Sequence, residues 1–189
     1  MSVIEMKPVR DRILDAAVEH YYAEGIRAVS ADKLIAAAHV SKVTFYRHFP
    51  SKNDLIAAYL EVRAEDERAS VTAKRAELDG DPAAVLEWYA QVVGTASCTP
   101  GFRGCPFINA AAEIADVDHP GHAIITRHRA WLTEQARQLL DELGVAHAAA
   151  RAEQVMMLRD GAMVSGYIGN DAAQVAADLT RGARAIIGR

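Results

Sequence analysis

Residues 41–52 read SKVTFYRHFPSK and set Lys42, Arg47, His48 and Lys52 among Phe45, Tyr46 and Phe49. Cations this closely spaced can neutralise phosphates, and the hydroxyls of Ser41, Thr44 and Tyr46 can hydrogen-bond phosphate oxygens. A second chemically capable stretch is GFRGCPFINAAAE, residues 101–113, where Cys105 stands directly before Pro106. A cysteine at a helix start with an arginine close by, here Arg103, is the setting of a reactive thiol. The competing reading is a small buried residue that packs a helix start. Cys98 is a candidate resolving partner, seven positions earlier. His119, His122 and His128, with Glu113 nearby, raise the question of a metal. His119 precedes a proline, and residues 122 and 128 do not share a helix face, so a solvated surface cluster is expected. No CxxC occurs, and no metal or cofactor is expected.

The elements that would position these groups are helical almost throughout. Pro8 suits the first turn of a helix running to about Glu24, with Ile13, Ala16, Ala17, His20 and Tyr21 on its apolar face. Gly25 ends it. Ser30 is an N-cap for a short helix, 31–37, that buries Leu34. Ser41 caps another, and Phe49-Pro50 stops it, because the residue before proline is pushed out of the α region. Ser51 caps a long helix, about 52–78. Further helices are expected at about 82–97, 106–115, 120–143, 147–168 and 171–187. The expected fold class is all-α, with about nine helices and no strand: a three-helix head followed by a helical body.

Composition bounds the function. The chain has 189 residues and a net charge of −4, which divides into +2 over residues 1–52 and −6 over residues 53–189. A mildly basic head on an acidic body fits a small nucleic-acid reader joined to a part that does not bind nucleic acid. No apolar run approaches a membrane span, and the N-terminus lacks a signal-peptide pattern, so a cytoplasmic location is expected.

SADKLIAAAHV followed by SKVTFYRHF is a helix, a tight turn and a second helix, the arrangement of a helix-turn-helix reader of double-stranded DNA. The second helix would enter the major groove with Ser41, Lys42, Val43 and Thr44 toward base edges. Phe45 and Phe49, four apart, would face the core. Tyr46, Arg47 and His48 remain for the backbone, and Lys52 lies at the next helix N-terminus, a favourable place for a phosphate.

The stretch from Arg12 to Tyr59, with ILDAA, Gly25, VSK, YRHFPSK and DL in order, resembles the DNA-binding region of the TetR family of transcriptional regulators. That resemblance implies a helix-turn-helix domain over 1–51 and a ligand-binding and dimerisation domain over 52–189. It also implies a homodimer on a pseudo-palindromic operator and release by a small-molecule effector or a thiol modification. Two positions depart from the family pattern. His39 stands where a turn glycine is usual, and Val43 where a small residue is frequent.

In the body, Met156, Met157 and Met163, with Trp88, Tyr89, Phe102, Phe107, Trp131 and Tyr167, are candidates to line an apolar cavity or simply to fill the core. Asn109, Arg127 and Arg159 are candidates to orient a ligand, and Cys105 to contact or sense it. The last two helices carry small apolar stripes, Val155, Leu158, Ala162 and Ser165, then Val175, Ala176, Leu179, Ala183 and Ile186, which the resemblance assigns to dimerisation. An enzyme using Cys105 with His122 or His128 is the rival class, and a helical scaffold without DNA binding is another. No nucleophile elbow, P-loop or dinucleotide fingerprint supports catalysis.

Overall fold

The computed structural model describes residues 7–97, 99–169 and 172–188. Cys98 and the Asn170-Asp171 step lie outside the described residues. Among the described residues there are nine helices and no strand. They are α1 (Val9–Glu24), α2 (Ala31–Ala37), α3 (Lys42–His48), α4 (Lys52–Glu77), α5 (Pro82–Ser97), α6 (Pro106–Glu113), α7 (Pro120–Glu142), α8 (Ala148–Ile168) and α9 (Ala172–Ile187).

Side-chain caps set most of the starts. Ser30 Oγ accepts the Lys33 amide and Ser41 Oγ accepts the Thr44 amide. At α4, Ser51 Oγ accepts the Asp54 amide at 3.1 Å while the Asp54 carboxylate accepts the Ser51 amide at 3.0 Å, a reciprocal capping box. Asp81 accepts the amides of Ala83 and Ala84 at the head of α5. His119 Nδ1 accepts the Gly121 amide at 2.9 Å, so this imidazole is a cap for α7.

Three helix ends share one solution. Val40 donates to the Ile35 carbonyl and His39 to that of Ala36, and the same paired bonds close α4 and α7. This Schellman pattern needs a left-handed residue just past the helix. His39 (φ 52°), Asp79 (φ 51°) and Gly144 (φ 71°) fill that position. The turn between α2 and α3 therefore keeps its left-handed geometry with a histidine in it.

The chain divides into two compact units, cut differently from the 1–51 and 52–189 division expected on function. The first comprises residues up to Arg63 together with Pro106–Ile125; the second comprises Ala64–Cys105 and Thr126–Arg189. The first unit is built on Ile13, Ala17, Leu34, Phe45, Phe49, Leu55, Tyr59 and Leu60, all buried. Tyr21 meets Tyr59 edge-on at 5.6 Å. His20, expected on the apolar face of α1, sits at its margin and bonds Glu24. Alpha6 joins this unit through Glu113, whose carboxylate accepts the amides of Ile26 at 3.1 Å and Arg27 at 2.7 Å. Gly25, at φ 93° and ψ 153°, leaves room for it. A Cβ there would lie 3.0 Å from Glu113 Oε1.

In the second unit, Ala90 and Val93 of α5 pack with Ala162 of α8 and with Val175 and Leu179 of α9. A second cluster joins Ala136 and Leu140 of α7 to Ala148 and Ala152 of α8. Gly94 permits close approach of α5 and α9, since a Cβ there would fall 2.2 Å from that of Ala176. The small-residue stripe expected to pair two chains is thus partly consumed within one: Ala162, Val175 and Leu179 are buried against α5.

Two substitutions test these backbone constraints. Gly25→Ala should lose about 2–3 kcal/mol, because it places a side chain in a glycine-only region and displaces the Glu113 carboxylate. His39→Gly should instead be neutral or stabilising by up to about 1 kcal/mol, since glycine relieves the left-handed strain but costs chain entropy. Urea unfolding monitored by circular dichroism reads both.

Candidate nucleic-acid interface and effector cavity

Alpha3 has two chemically distinct faces. Phe45 is 1% exposed and Phe49, at the helix end, 3% exposed, and both lie in the core of the first unit. The guanidinium of Arg10 sits over the Phe49 ring. Opposite them, Val43 is 80% exposed. Lys42, Tyr46 and Arg47 are also exposed, and Thr44 and His48 are half-buried. Tyr46 leans edge-on against Phe45 with ring centroids 5.3 Å apart and remains 40% exposed. Ser41 Oγ donates to Thr44 Oγ1 at 2.8 Å, so these two hydroxyls fix each other at the helix start. Lys42 lies 3.9 Å from Asp32, an exposed pair of little energetic consequence. Lys52, in the first turn of α4, rests its ammonium over the Tyr21 ring at 6.0 Å. Burial lowers its pKa from the ordinary lysine value, and Glu113 works against that shift.

The result is a ridge of Lys42, Val43, Tyr46 and Arg47 mounted on a rigid apolar base. A large aliphatic side chain left in water on such a ridge has no role in the core. Its methyls suit a thymine methyl in a major groove, and the flanking cations suit phosphates.

The second unit contains a buried polar network. Glu67 of α4 accepts a hydrogen bond from the Tyr89 hydroxyl at 2.6 Å and lies 2.9 Å from His128 Nε2. Arg159 of α8 approaches Glu67 at 3.8 Å and Asp160 at 3.1 Å, and Arg129 holds the other Asp160 oxygen. Burial opposes the Glu67 charge, but His128, Arg159 and Tyr89 outweigh it and hold the carboxyl below its ordinary pKa. Tyr89 is pushed up, chiefly by burial. Burial likewise works against the Arg159 charge, yet Tyr89, Cys105 and Glu67 leave its pKa raised. His128 is 3% exposed. It stacks on Trp131. It is therefore not part of a surface histidine cluster; the phase of α7 turns it inward. Among the described residues, no group of three or more His, Cys, Asp or Glu could hold a metal ion.

Beside this network lies a cavity of about 410 Å³. One wall is a continuous stripe of α7: Leu132, Gln135, Ala136, Leu139, Leu140 and Leu143. Leu86 and Tyr89 of α5, Met156 and Arg159 of α8, and Leu179 and Arg184 of α9 close it. The volume is within the range of small-molecule sites, and the lining is mostly aliphatic with a few polar groups.

Residues 13–59 match the family described as bacterial regulatory proteins, tetR family. A solved structure of a TetR-family transcriptional regulator from Streptomyces coelicolor is 38% identical, with 95% of this chain and 94% of that chain covered and a TM-score of 0.86. The chain belongs to the TetR family.

Curated TetR-like relatives match over shorter stretches. The transcriptional regulator AcuR of Cereibacter sphaeroides is 31% identical over 105 residues, covering 54% of this chain and 47% of AcuR. The uncharacterized HTH-type regulator YvkB of Bacillus subtilis is 38% identical over 55 residues, 29% of each chain. The matched region thus spans less than half the length of these curated relatives.

Within the TetR-family fold, the eight residues expected to meet DNA fall on α3 and at the start of α4, in the first unit. The expected ligand residues converge only in part. Of them, Tyr89, Met156 and Arg159 line the cavity. Trp88 carries the Lys74 ammonium at 5.8 Å and Trp131 the Arg68 guanidinium. Met157 is 66% exposed. Arg127 is exposed, Phe102 half-buried, and Phe107 and Asn109 belong to the first unit. Cys105 is buried, with the Arg159 guanidinium against its sulfur. The α7 stripe that lines the cavity is an i, i+3, i+4, i+7 run in the sequence, one position away from Trp131.

The network has a measurable signature. Glu67→Gln should lower stability at pH 7 by about 3 kcal/mol, since it takes a carboxylate away from the buried Arg159 guanidinium. A depressed folded-state pKa stabilises above the unfolded value, near pH 4.3, and that contribution is lost as pH falls through the folded value. The wild type should therefore lose stability relative to the variant below about pH 4.5, and the two urea-midpoint profiles should converge there.

Proposed function

We propose that this chain is a cytoplasmic DNA-binding repressor that grips a pseudo-palindromic operator as a homodimer and releases it when a small molecule occupies the second unit. Functionally, residues 1–51 are the reader and 52–189 the effector-binding and dimerisation part. The observation that carries the reading is the α3 ridge: exposed Val43 and Tyr46 beside Lys42 and Arg47, over buried Phe45 and Phe49.

Ser41, Lys42, Val43 and Thr44 take the base-edge positions of an inserted helix N-terminus, and Tyr46, Arg47, His48 and Lys52 take phosphates. One such helix makes few contacts, so two related by a two-fold axis are needed for a tight operator. Alpha8 offers a face for that axis. Met157, Val164 and Ile168 are exposed, and open space surrounds Gly161, which places four positions at helical spacing along one side. A small molecule is favoured over thiol modification as the signal, because Cys105 is 3% exposed and reagents reach it only after local opening.

Selection of bound sequences from a random pool, followed by fluorescence anisotropy, tests the DNA reading. Tyr46→Ala and Lys52→Ala should weaken all sequences alike, and Lys52→Ala should reduce the salt slope by about one. Val43→Gly should change base preference by about 1–3 kcal/mol at the affected base pair. A wild type that shows no preference over competitor DNA sinks the proposal.

The dimer is tested at α8 rather than α9, since Leu179 is core. Val164→Glu should yield a folded monomer in sedimentation, with operator affinity reduced at least tenfold. A Val164→Glu protein that sediments as wild type excludes this face.

A further inference from the structure

We infer that the cavity selects an uncharged, lipophilic molecule carrying one hydrogen-bond-accepting oxygen, of the ketone or ester class, and that Arg159 is the donor that orients it. The inference rests on the effector-binding reading of the second unit.

Three observations lead to this class. The first is the wall, which is aliphatic along α7 and gains little from any charged ligand body. The second is Arg159, which lines the cavity, is 5% exposed, and has an Nε with no hydrogen-bond partner. A buried donor left unsatisfied carries its full desolvation cost, and an acceptor placed beside it removes that cost.

The third is the charge balance, which decides what kind of acceptor. Arg159 already faces Glu67 at 3.8 Å and Asp160 at 3.1 Å, with Cys105 against it as well. Arg129 shares Asp160. Two guanidinium groups are thus matched by two carboxylates before any ligand arrives. Tyr89 and His128 both spend themselves on Glu67. A ligand carboxylate would be a third anion beside Glu67 and Asp160 in a site with little solvent to screen it. A ligand ammonium would meet a guanidinium and hydrocarbon. A carbonyl oxygen leaves the balance untouched, and the Nε–H, sealed from solvent in this structure, donates to it once the Arg159 side chain turns toward the ligand. The other charged pair of the lining, Glu87 with Arg184 at 3.5 Å, is more than half exposed and marks the side open to solvent.

Isothermal titration of the full chain without DNA, using decan-2-one, decanoate and decylammonium, tests the class directly. The expected order is decan-2-one tighter than either ion by at least tenfold. Arg159→Met should cut ketone affinity about tenfold. Ala136→Phe, which fills the cavity and leaves the charges in place, should abolish binding of all three. Because Arg159→Met also disturbs Glu67, the ranking on the unmodified chain decides the matter if that variant fails to fold. Decanoate binding as tightly as the ketone overturns the proposal, as does ketone binding that survives Ala136→Phe, or no binding to the folded chain. Operator binding measured separately keeps the two readings apart. Specific DNA binding with no ketone bound refutes only the ligand class. A bound ketone on a chain that ignores DNA refutes only the regulator reading.

Discussion

One carboxylate on a short helix fixes the geometry of the reading head. Glu113 accepts two successive backbone amides, those of Ile26 and Arg27, just after α1 ends. Those amides would otherwise stand without partners in the connection that leads to the Ser30 cap and so to α2 and α3. Charge-assisted bonds of this kind are short and roughly twice as strong as neutral ones. The clamp admits only glycine at residue 25, both for its backbone angles and for the space the carboxylate occupies. Lys52 feels the same carboxylate from the start of α4. One side chain thus bears on the exit of α1, the entry to α2 and the charge of a residue beside the recognition helix.

That clamp also changes the meaning of the segment 101–113. Its cysteine draws the eye, yet its last residue has the clearest structural consequence. Pro106 opens α6 in the first unit, while Cys105 belongs to the second. Within the second unit the Arg159 guanidinium stands against Cys105, and within the first, two turns of helix end at Glu113.

The sequence revealed what is local and concealed what is not. Ser30, Ser41, Ser51, Pro82, Pro106 and Pro120 mark helix starts by their own chemistry, and each helix begins there or one residue later. The α3 ridge was equally legible, because a four-residue spacing of Phe45 and Phe49 fixes which face is buried. The left-handed His39 followed from a single position in a known turn. By contrast, Glu113 and Ile26 are 87 positions apart, and neither composition nor period links them. The placement of α6 in the first unit was invisible for the same reason. Of the expected apolar lining, Tyr89 and Met156 face the cavity, whereas Trp88 and Trp131 lie one position off the stripes that line it and are held by cations. Nothing in the α8–α9 stripes distinguishes a partner within the chain from a second chain, because small apolar residues look the same in both, and Ala162, Val175 and Leu179 pack on α5.

A regulator of this design must solve an energetic problem that its buried network helps to define. For occupancy of the second unit to alter operator affinity, the ligand must prefer one arrangement of the chain by the coupling free energy, typically about 1–3 kcal/mol. An aliphatic wall alone discriminates poorly, because burial is non-directional and depends mainly on area. A donor whose partners are already fixed by Glu67 and Asp160 discriminates well, because a shift of a few tenths of an ångström at a packed guanidinium forces its neighbours to follow or lose their bonds. Cys105 is one of those neighbours. Linkage then runs in both directions: an operator that favours one setting of the head must weaken the ligand by the same factor by which the ligand weakens the operator.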